Sequence, residues 1–171
     1  MGLYLNLMPP CTAAVALGSN LGDRAENLRA AARSLGRLGR TVARSGLYET
    51  APVGPPQPSF LNAVVLLETG LDPHRLLEGL LGIESALGRV RNGRWRPRTI
   101  DLDLLAVDDQ VVREPLLVLP HPEAHRRAFV LVPLAEVAPD FVLPGYGSVD
   151  ALLAALDPTA RAAVRKTGLA F

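Results

Sequence analysis

The sequence is poor in several features that define large classes of protein. Cys11 is the only cysteine among 171 residues, which excludes an internal disulfide framework and leaves no partner for a zinc–thiolate site. No uninterrupted apolar run reaches the roughly 18 residues of a transmembrane helix, and residues 1–10 lack the basic start of a secretory signal. We therefore expect a soluble, cytoplasmic protein with no membrane partner.

Net charge is also nearly absent. Eighteen basic and seventeen acidic side chains give a formal net charge of +1, so overall charge offers no argument for binding nucleic acid. Lys166 is the only lysine, and every other basic residue is an arginine. With so little net charge, any binding of anions must depend on local clusters of charge. The planar guanidinium group of arginine suits carboxylates and phosphates, so clusters of arginine are the places to look for it.

No internal repeat and no glycine- or serine-rich linker divides the chain, so we expect residues 1–171 to form a single domain. Hydrophobic periodicity and turn signals predict an alternating order of elements. These are strands at residues 12–17, 41–48, 61–67 and 99–107, a helix capped by Asp23 that stops at Gly39, and a helix capped by Asp72.

The order strand, helix, strand, strand, helix, strand is that of the split βαβ arrangement. We therefore predict an α+β fold with a ferredoxin-like βαββαβ core, in which helices cover an antiparallel sheet. A further strand near residues 116–119 and helices at 129–137 and 148–156 complete the prediction.

Two acidic side chains in the last core strand are the sharpest local signal. The two-residue period of a strand places Asp101 and Asp103 on one face, about 7 Å apart, with Ile100 and Leu102 on the other. A divalent cation relieves the repulsion between such carboxylates, and Mg²⁺ is commonly held by one or two of them together with phosphate oxygens. Two solvated acids on an exposed strand face remain the alternative.

The segment before these acids favours the metal interpretation. Five arginines fall within ten residues, namely Arg89, Arg91, Arg94, Arg96 and Arg98. Guanidinium groups beside metal ligands fit phosphoryl-type transfer, which needs charge neutralised on the transferring and leaving groups. A flexible surface loop, or an RNA-facing patch in which Trp95 stacks on a base, is the alternative.

Other candidate site residues lie around loops. Residues 50–59 contain four prolines and one glycine, which forbids regular structure there. Phe60, Trp95 and Phe129 are conspicuous among only eight aromatic residues, although each fits core packing as well as ligand stacking. His121, between two prolines, fits either a contact to a nucleotide or a capping role.

Four segments together resemble the 6-hydroxymethyl-7,8-dihydropterin pyrophosphokinase family of folate biosynthesis, across nearly the whole chain. They are residues 16–22, 48–54 with 60–63, 88–91 with 94–103, and 119–122 with 127–134. The sequence Arg-Pro-Arg-Thr-Ile-Asp-Leu-Asp at 96–103 is the most specific part of the match. The resemblance implies transfer of pyrophosphate from ATP to the hydroxymethyl group of the pterin, giving the pterin diphosphate and AMP.

The resemblance also implies roles for individual residues. It assigns catalysis to Arg89, Arg98, Asp101 and Asp103, with the two aspartates holding two Mg²⁺ ions. It assigns ATP binding to Glu84, Arg91, Trp95, Arg98, His121 and Arg127. It assigns pterin binding to Thr50, Val53, Phe60, Asn62, Trp95 and Phe129, with the two phenylalanines stacked on either side of the ring.

We further expect a monomer that acts on small molecules and not on nucleic acid, with loops 50–59 and 88–97 closing over the substrates to exclude water. Two other interpretations stay open from the residues alone. One is a ferredoxin-like module that binds RNA through its arginine loop without catalysis. The other is a metal-dependent phosphatase or nuclease that uses the same acids.

Overall fold

The computed structural model describes residues 9–90, 93 and 96–171. Its strands are β1 Cys11–Ser19, β2 Arg40–Arg44, β3 Tyr48–Thr50, β4 Phe60–Thr69, β5 Asp101–Val107, β6 Val112–Glu114, β7 Leu117–Leu119, β8 Val142–Leu143, β9 Gly147–Ser148 and β10 Arg165–Lys166. Its helices are α1 Arg24–Leu35, α2 Pro73–Ala86, α3 Ala128–Val137, α4 Val149–Ala155 and α5 Pro158–Ala162, with a 3₁₀ turn at Ala124–Arg126.

The main sheet has the order β10-β3-β4-β1-β5, with β2 also paired to β4, and all of these pairs are antiparallel. Helices α1 and α2 contribute to the hydrophobic cluster on one face of the sheet, and α3 contributes to the cluster on the other. This arrangement confirms the predicted α+β, ferredoxin-like fold.

The central strand β4 shows why both faces are covered. Leu61, Val65 and Leu67 belong to the core cluster shared with α1 and α2, whereas Val64 and Leu66 belong to the cluster shared with α3. Successive side chains of a strand point to opposite faces, so a nearly continuous apolar run is needed when both faces are buried.

Aspartates begin both helices of the core, as predicted. Asp23 accepts a hydrogen bond from the backbone N–H of the third residue of α1, and Asp72 caps α2 in the same way. The predicted stop of α1 at Gly39 is wrong, because the helix ends at Leu35. A Cβ at Gly39 would lie 2.5 Å from the carbonyl oxygen of Glu68, so this glycine permits a close approach to β4 instead.

The single strand predicted at 41–48 is also wrong in detail, because it is two short strands, β2 and β3, that pair with different parts of β4. Ser45 lies at the break. Its backbone N–H donates to the Val64 carbonyl at 2.9 Å, and its Oγ accepts from the Val64 N–H at 2.9 Å. The side chain therefore replaces one bond of the backbone ladder.

The remainder of the chain follows the prediction closely. The strand near 116–119 is β7, which forms a hairpin with β6; the two later helices are α3 and α4. The short elements β6, α5, β8, β9 and β10 and the 3₁₀ turn were not predicted. No helix within the described ranges is long and apolar enough to cross a membrane.

Candidate functional site

A cavity of about 410 Å³ opens where β1 ends and where β4 and β5 begin. Its floor is formed by the paired positions of these strands, since Gly18 lies opposite Asn62 on one side and opposite Asp101 on the other. A Cβ at Gly18 would lie 3.2 Å from Asn62 Oδ1 and 3.7 Å from a ring carbon of Phe60. The absence of a side chain at this position therefore keeps the floor open.

One side of the cavity, which we call the aromatic side, is formed by Thr50, Val53, Phe60, Asn62 and Phe129. The Asn62 Nδ2 donates to Thr50 Oγ1 at 2.6 Å, which fixes the orientation of the buried amide. The structure thus brings together all five described residues that the resemblance assigns to the pterin. The sixth, Trp95, lies outside the described residues.

The other side, which we call the charged side, is formed by Arg98, Asp101, Asp103 and Arg127. Both guanidinium groups of the charged side also lie next to aromatic rings of the other side. The Arg98 Cζ lies 5.9 Å from the centre of the Phe60 ring, and the Arg127 Cζ lies 5.6 Å from that of Phe129. Positive charge therefore meets an aromatic ring at two places around the cavity.

The two aspartates share a face of β5, as the alternation in the sequence predicts. Ile100 before the strand and Leu102 within it are buried in the core, whereas Asp101 and Asp103 are half-buried and line the cavity. Burial raises the pKa of Asp103 above its ordinary value, and the neighbouring charge of Asp101 raises it further. The pair is therefore costly to keep ionised without a cation.

Two arginines partly neutralise the charge of Asp101. Arg98 lines the cavity, whereas Arg89 does not. Arg98 Nη1 lies 2.8 Å from Asp101 Oδ2, and Arg89 Nη1 forms an ion pair with Asp101 Oδ1. Arg89 also lies 2.9 Å from the buried Glu84 carboxylate. Burial opposes ionisation of Arg89, but the hydrogen bond and charge of Asp101 raise its pKa.

The donor set fits magnesium that arrives with phosphate. Within residues 9–90, 93 and 96–171, no group of three or more His, Cys, Asp or Glu side chains could hold a metal by itself. Mg²⁺ is usually bound by one or two carboxylates, with substrate phosphates and water filling the other positions. Asp101 and Asp103 supply these carboxylates, and the repulsion between them is what a cation would relieve.

The cavity lining does not include His121, Glu84 or Arg89. The charges of Arg127 and Asp101, which do line the cavity, nevertheless act on His121. The backbone N–H of Glu123 donates to His121 Nδ1 at 3.1 Å, so the proton of the neutral ring sits on Nε2. Burial lowers the pKa of His121, and the charge of Arg127 lowers it further. At neutral pH this side chain is therefore a neutral N–H donor.

Two predicted ATP ligands have no structural description. Arg91 and Trp95 lie outside the described residues. Their assignments stay predictions from the resemblance.

Asn20 adjoins the cavity and was not among the residues predicted from the sequence. Its side chain is 2% exposed. The Nδ2 donates to Gln57 Oε1 at 2.9 Å and to the Pro58 carbonyl at 3.0 Å, and Oδ1 accepts from the Arg98 N–H at 2.8 Å. Asn20 therefore joins the two loops that flank the cavity.

Comparisons with known proteins agree with this geometry. Residues 14–139 match the family model described as 7,8-dihydro-6-hydroxymethylpterin-pyrophosphokinase, or HPPK. A 2-amino-4-hydroxy-6-hydroxymethyldihydropteridine pyrophosphokinase from Methylorubrum extorquens is 53% identical over 84% of this chain and 92% of its own length. One of the same name from Pseudomonas aeruginosa is 49% identical over 82% of this chain and 89% of its own length.

A solved structure gives the same fold at low sequence identity. The Plasmodium falciparum HPPK-DHPS A437G/K540E protein with pterin and p-hydroxybenzoate has a TM-score of 0.70 and 16% identity over 88% of this chain. The match covers 44% of that protein, so the chain spans less than half of its length.

Fold and relatives together define an ATP-dependent transferase, a pyrophosphokinase of folate biosynthesis. The chain belongs to the HPPK family.

Proposed function

We propose that this chain transfers the terminal pyrophosphoryl group of ATP to the hydroxymethyl oxygen of 6-hydroxymethyl-7,8-dihydropterin. The oxygen attacks the β-phosphorus and loses its proton, the bond from that phosphorus to the α-phosphate oxygen breaks, and the products are the pterin diphosphate and AMP. The observation that carries this proposal is the meeting of the aromatic side and the charged side in one cavity.

The aromatic side is suited to a flat heterocycle. Phe60 and Phe129 both line the cavity, and a ring between two aromatic faces gains stacking energy. The Asn62 amide, oriented by Thr50, offers both a donor and an acceptor to the polar edge of the ring. Val53 and the backbone around Thr50 complete this edge.

The charged side is suited to the polyphosphate. We propose that Asp101 and Asp103 hold two Mg²⁺ ions together with ATP oxygens; when bound, these ions would screen phosphate charge from the attacking oxygen. Arg98 and Arg127 belong to this side of the cavity. Their fixed positive charge stabilises the negative charge that develops on the leaving AMP.

Residues outside the cavity lining support the charged side. Glu84 and Asp101 hold Arg89 between two carboxylates, which places a guanidinium group next to the proposed metal ligands. His121 contributes an Nε2–H that can donate to ATP without adding positive charge. We assign Arg91 and Trp95 to ATP, and Trp95 also to closure over the pterin, from the resemblance alone.

Product analysis tests the proposal. The purified chain, incubated with Mg²⁺, ATP and hydroxymethyl-dihydropterin, should form AMP and pterin diphosphate in equal amounts, and neither product should form when EDTA is added. Release of orthophosphate or ADP from ATP at a rate that does not depend on the pterin would instead indicate a phosphatase. Tight, salt-dependent RNA binding without AMP formation would indicate a nucleic-acid module.

We propose in addition that the chain acts as a monomer in the cytoplasm, on small molecules alone. The resemblance assigns the pterin, ATP and both metal ions to residues of a single chain, which is what a monomeric enzyme requires. Sedimentation at the enzyme concentrations of the assay should therefore give the mass of a single chain, and activity per chain should not change on dilution.

A further inference from the structure

A polar cluster lies at the base of loop 50–59, away from the charged side of the cavity. Arg24 Nη1 lies 2.9 Å from the Ser59 carbonyl oxygen, 3.0 Å from Glu49 Oε1 and 3.2 Å from Ser59 Oγ. Ser59 Oγ in turn donates to Glu49 Oε1 at 3.0 Å. One guanidinium nitrogen therefore joins the residues that precede and end this loop, and we call these three residues the base cluster.

The base cluster adjoins the cavity without lining it. Thr50 and Phe60 form the last backbone pair of β3 and β4, and both line the cavity. Glu49 and Ser59 are their immediate neighbours in sequence. Because successive strand residues point to opposite faces, Glu49 and Arg24 lie across the sheet from the cavity floor. Any effect of Arg24 on the cavity must therefore act through Thr50 and Phe60.

The loop has few means of holding itself in place. Four of the residues in 50–59 are prolines, which have no backbone N–H to donate. Side chains from elsewhere supply the bonds instead, since Asn20 binds Gln57 and Pro58 while Arg24 binds the two ends. The pair Arg24–Glu49 is about 30% exposed, so it is open to variation without disturbing the core.

We propose that Arg24 is a positioning residue for the aromatic side, which it serves by holding Glu49 and Ser59 together so that Thr50 and Phe60 keep their places around the bound pterin ring. This inference rests on the proposed function for the identity of the ring. The cluster itself is a property of the fold and can be tested without turnover.

Amide hydrogen exchange tests the cluster directly. In Arg24→Ala, exchange should accelerate about fivefold to tenfold in the backbone pairing of β3 with β4 at the base of the loop, because the charged hydrogen bonds that hold this end of the pairing are lost. The reporting amides are the hydrogen-bonded ones of β3 and of residues 60–62 in β4. The matched control is Arg33→Ala, on the same helix, which loses an exposed ion pair with Glu26 and should leave this pairing unchanged.

Kinetics test the consequence for the reaction. Arg24→Ala should raise the KM for the pterin about fivefold to tenfold and change the KM for ATP less than twofold. Glu49→Ala should behave in the same way, whereas Glu49→Gln, which keeps an oxygen that accepts from Arg24, should restore most of the wild-type value. The double variant Arg24→Ala/Glu49→Ala should be no worse than either single variant.

Unchanged exchange in the β3–β4 pairing at the base of the loop would overturn the positioning role, and so would equal increases in the KM for pterin and for ATP. Faster exchange together with a selective rise in the pterin KM would support it. Absence of pterin diphosphate with the wild-type chain would count against the proposed function alone, because the exchange measurement does not depend on turnover.

Discussion

The two sides of the cavity are stabilised by opposite means. On the aromatic side, neutral groups satisfy one another, as in the 2.6 Å bond from Asn62 to Thr50. On the charged side, Asp101 is paired with two arginines, while Asp103 is held near it in a half-buried position that raises its pKa. One side is complete without a ligand, and the other holds charge that a ligand would relieve.

This difference indicates which side of the cavity gains more free energy when its ligand binds. A preformed surface of neutral groups loses little on binding and serves mainly to recognise the ring. Two acids held close together cost stability in the free protein, and that cost is recovered only when a cation and phosphate arrive. We therefore expect changes on the charged side to affect turnover and changes on the aromatic side to affect pterin affinity.

The largest expected effect is that of Asp103→Asn. We expect pyrophosphoryl transfer to fall on the order of a thousandfold, because metal binding contributes several kcal/mol to such reactions. The same change removes a repulsive charge next to Asp101, so the thermal midpoint of unfolding should be unchanged or higher. Initial rates of AMP formation and thermal unfolding of the same preparation check both expectations.

A variant that keeps more than a tenth of the wild-type rate would refute the metal assignment of Asp103. A large fall in the unfolding midpoint would show instead that the aspartate has a structural role. Asp109→Asn, in the turn after β5, is the matched control and should alter neither quantity.

A smaller effect on turnover is expected for Arg98→Ala. Loss of one fixed positive donor should slow the chemical step about a hundredfold in single-turnover experiments. The dissociation constant of the pterin should change less, although Arg98 also lies over Phe60. Arg113→Ala, on an exposed position of β6, should match the wild type in both measurements, and an unchanged single-turnover rate in Arg98→Ala would break the proposed division between the two sides.

On the aromatic side, Phe129→Leu should raise the KM for the pterin about tenfold, since stacking on one aromatic ring contributes roughly 1–3 kcal/mol. Leucine preserves apolar packing against the cluster that includes α3, so the fold should be retained. Rates measured over a range of pterin concentrations at saturating ATP give this value. A lower kcat with an unchanged pterin KM would place Phe129 functionally with the charged side.

The sequence predicted most of the fold because the local patterns and the tertiary contacts agree. The alternation in β5 indicated that Asp101 and Asp103 share a face, and buried Ile100 and Leu102 have the expected orientation. The break between β2 and β3 was not predictable in this way. It depends on Ser45 bonding to a particular residue of β4, and strand periodicity carries no information on such a partner.

The site shows the same limit. The sequence shows that the arginines and the acids are close in the chain. It does not reveal that Arg89 and Arg98 both pair with Asp101. Asn20 was not predicted from the sequence, because the partners of its side chain lie 37 and more positions away. Contacts across such separations are decided by the packing of whole elements, which single-residue preferences do not encode.

The smallest expected effect concerns a hydrogen bond between two of the elements that carry the aromatic side, β3 and α3. Glu136, near the end of α3, accepts a hydrogen bond from Tyr48 on β3, and it also accepts from Lys166 Nζ at 2.9 Å and from the Gly46 N–H at 3.2 Å. Burial opposes ionisation of Glu136, but these three donors hold its pKa below the ordinary value of 4.5.

A depressed pKa in the folded state means that ionised Glu136 stabilises the protein above about pH 4.5 and that this contribution is lost as the pH falls through the lower, folded-state pKa. Glu136→Gln should therefore lower the unfolding midpoint at pH 7 by about 2–4 °C, as expected for a loss of about 1 kcal/mol. The gap should narrow as the pH falls below 4.5 and through the lower, folded-state pKa, because wild-type Glu136 then becomes protonated. Glu68→Gln, which affects only an exposed pair with Arg40, should show no such trend. Calorimetric scans across this range check the prediction, and a gap that stays constant would mean that the bond between α3 and β3 does not depend on the charge of Glu136.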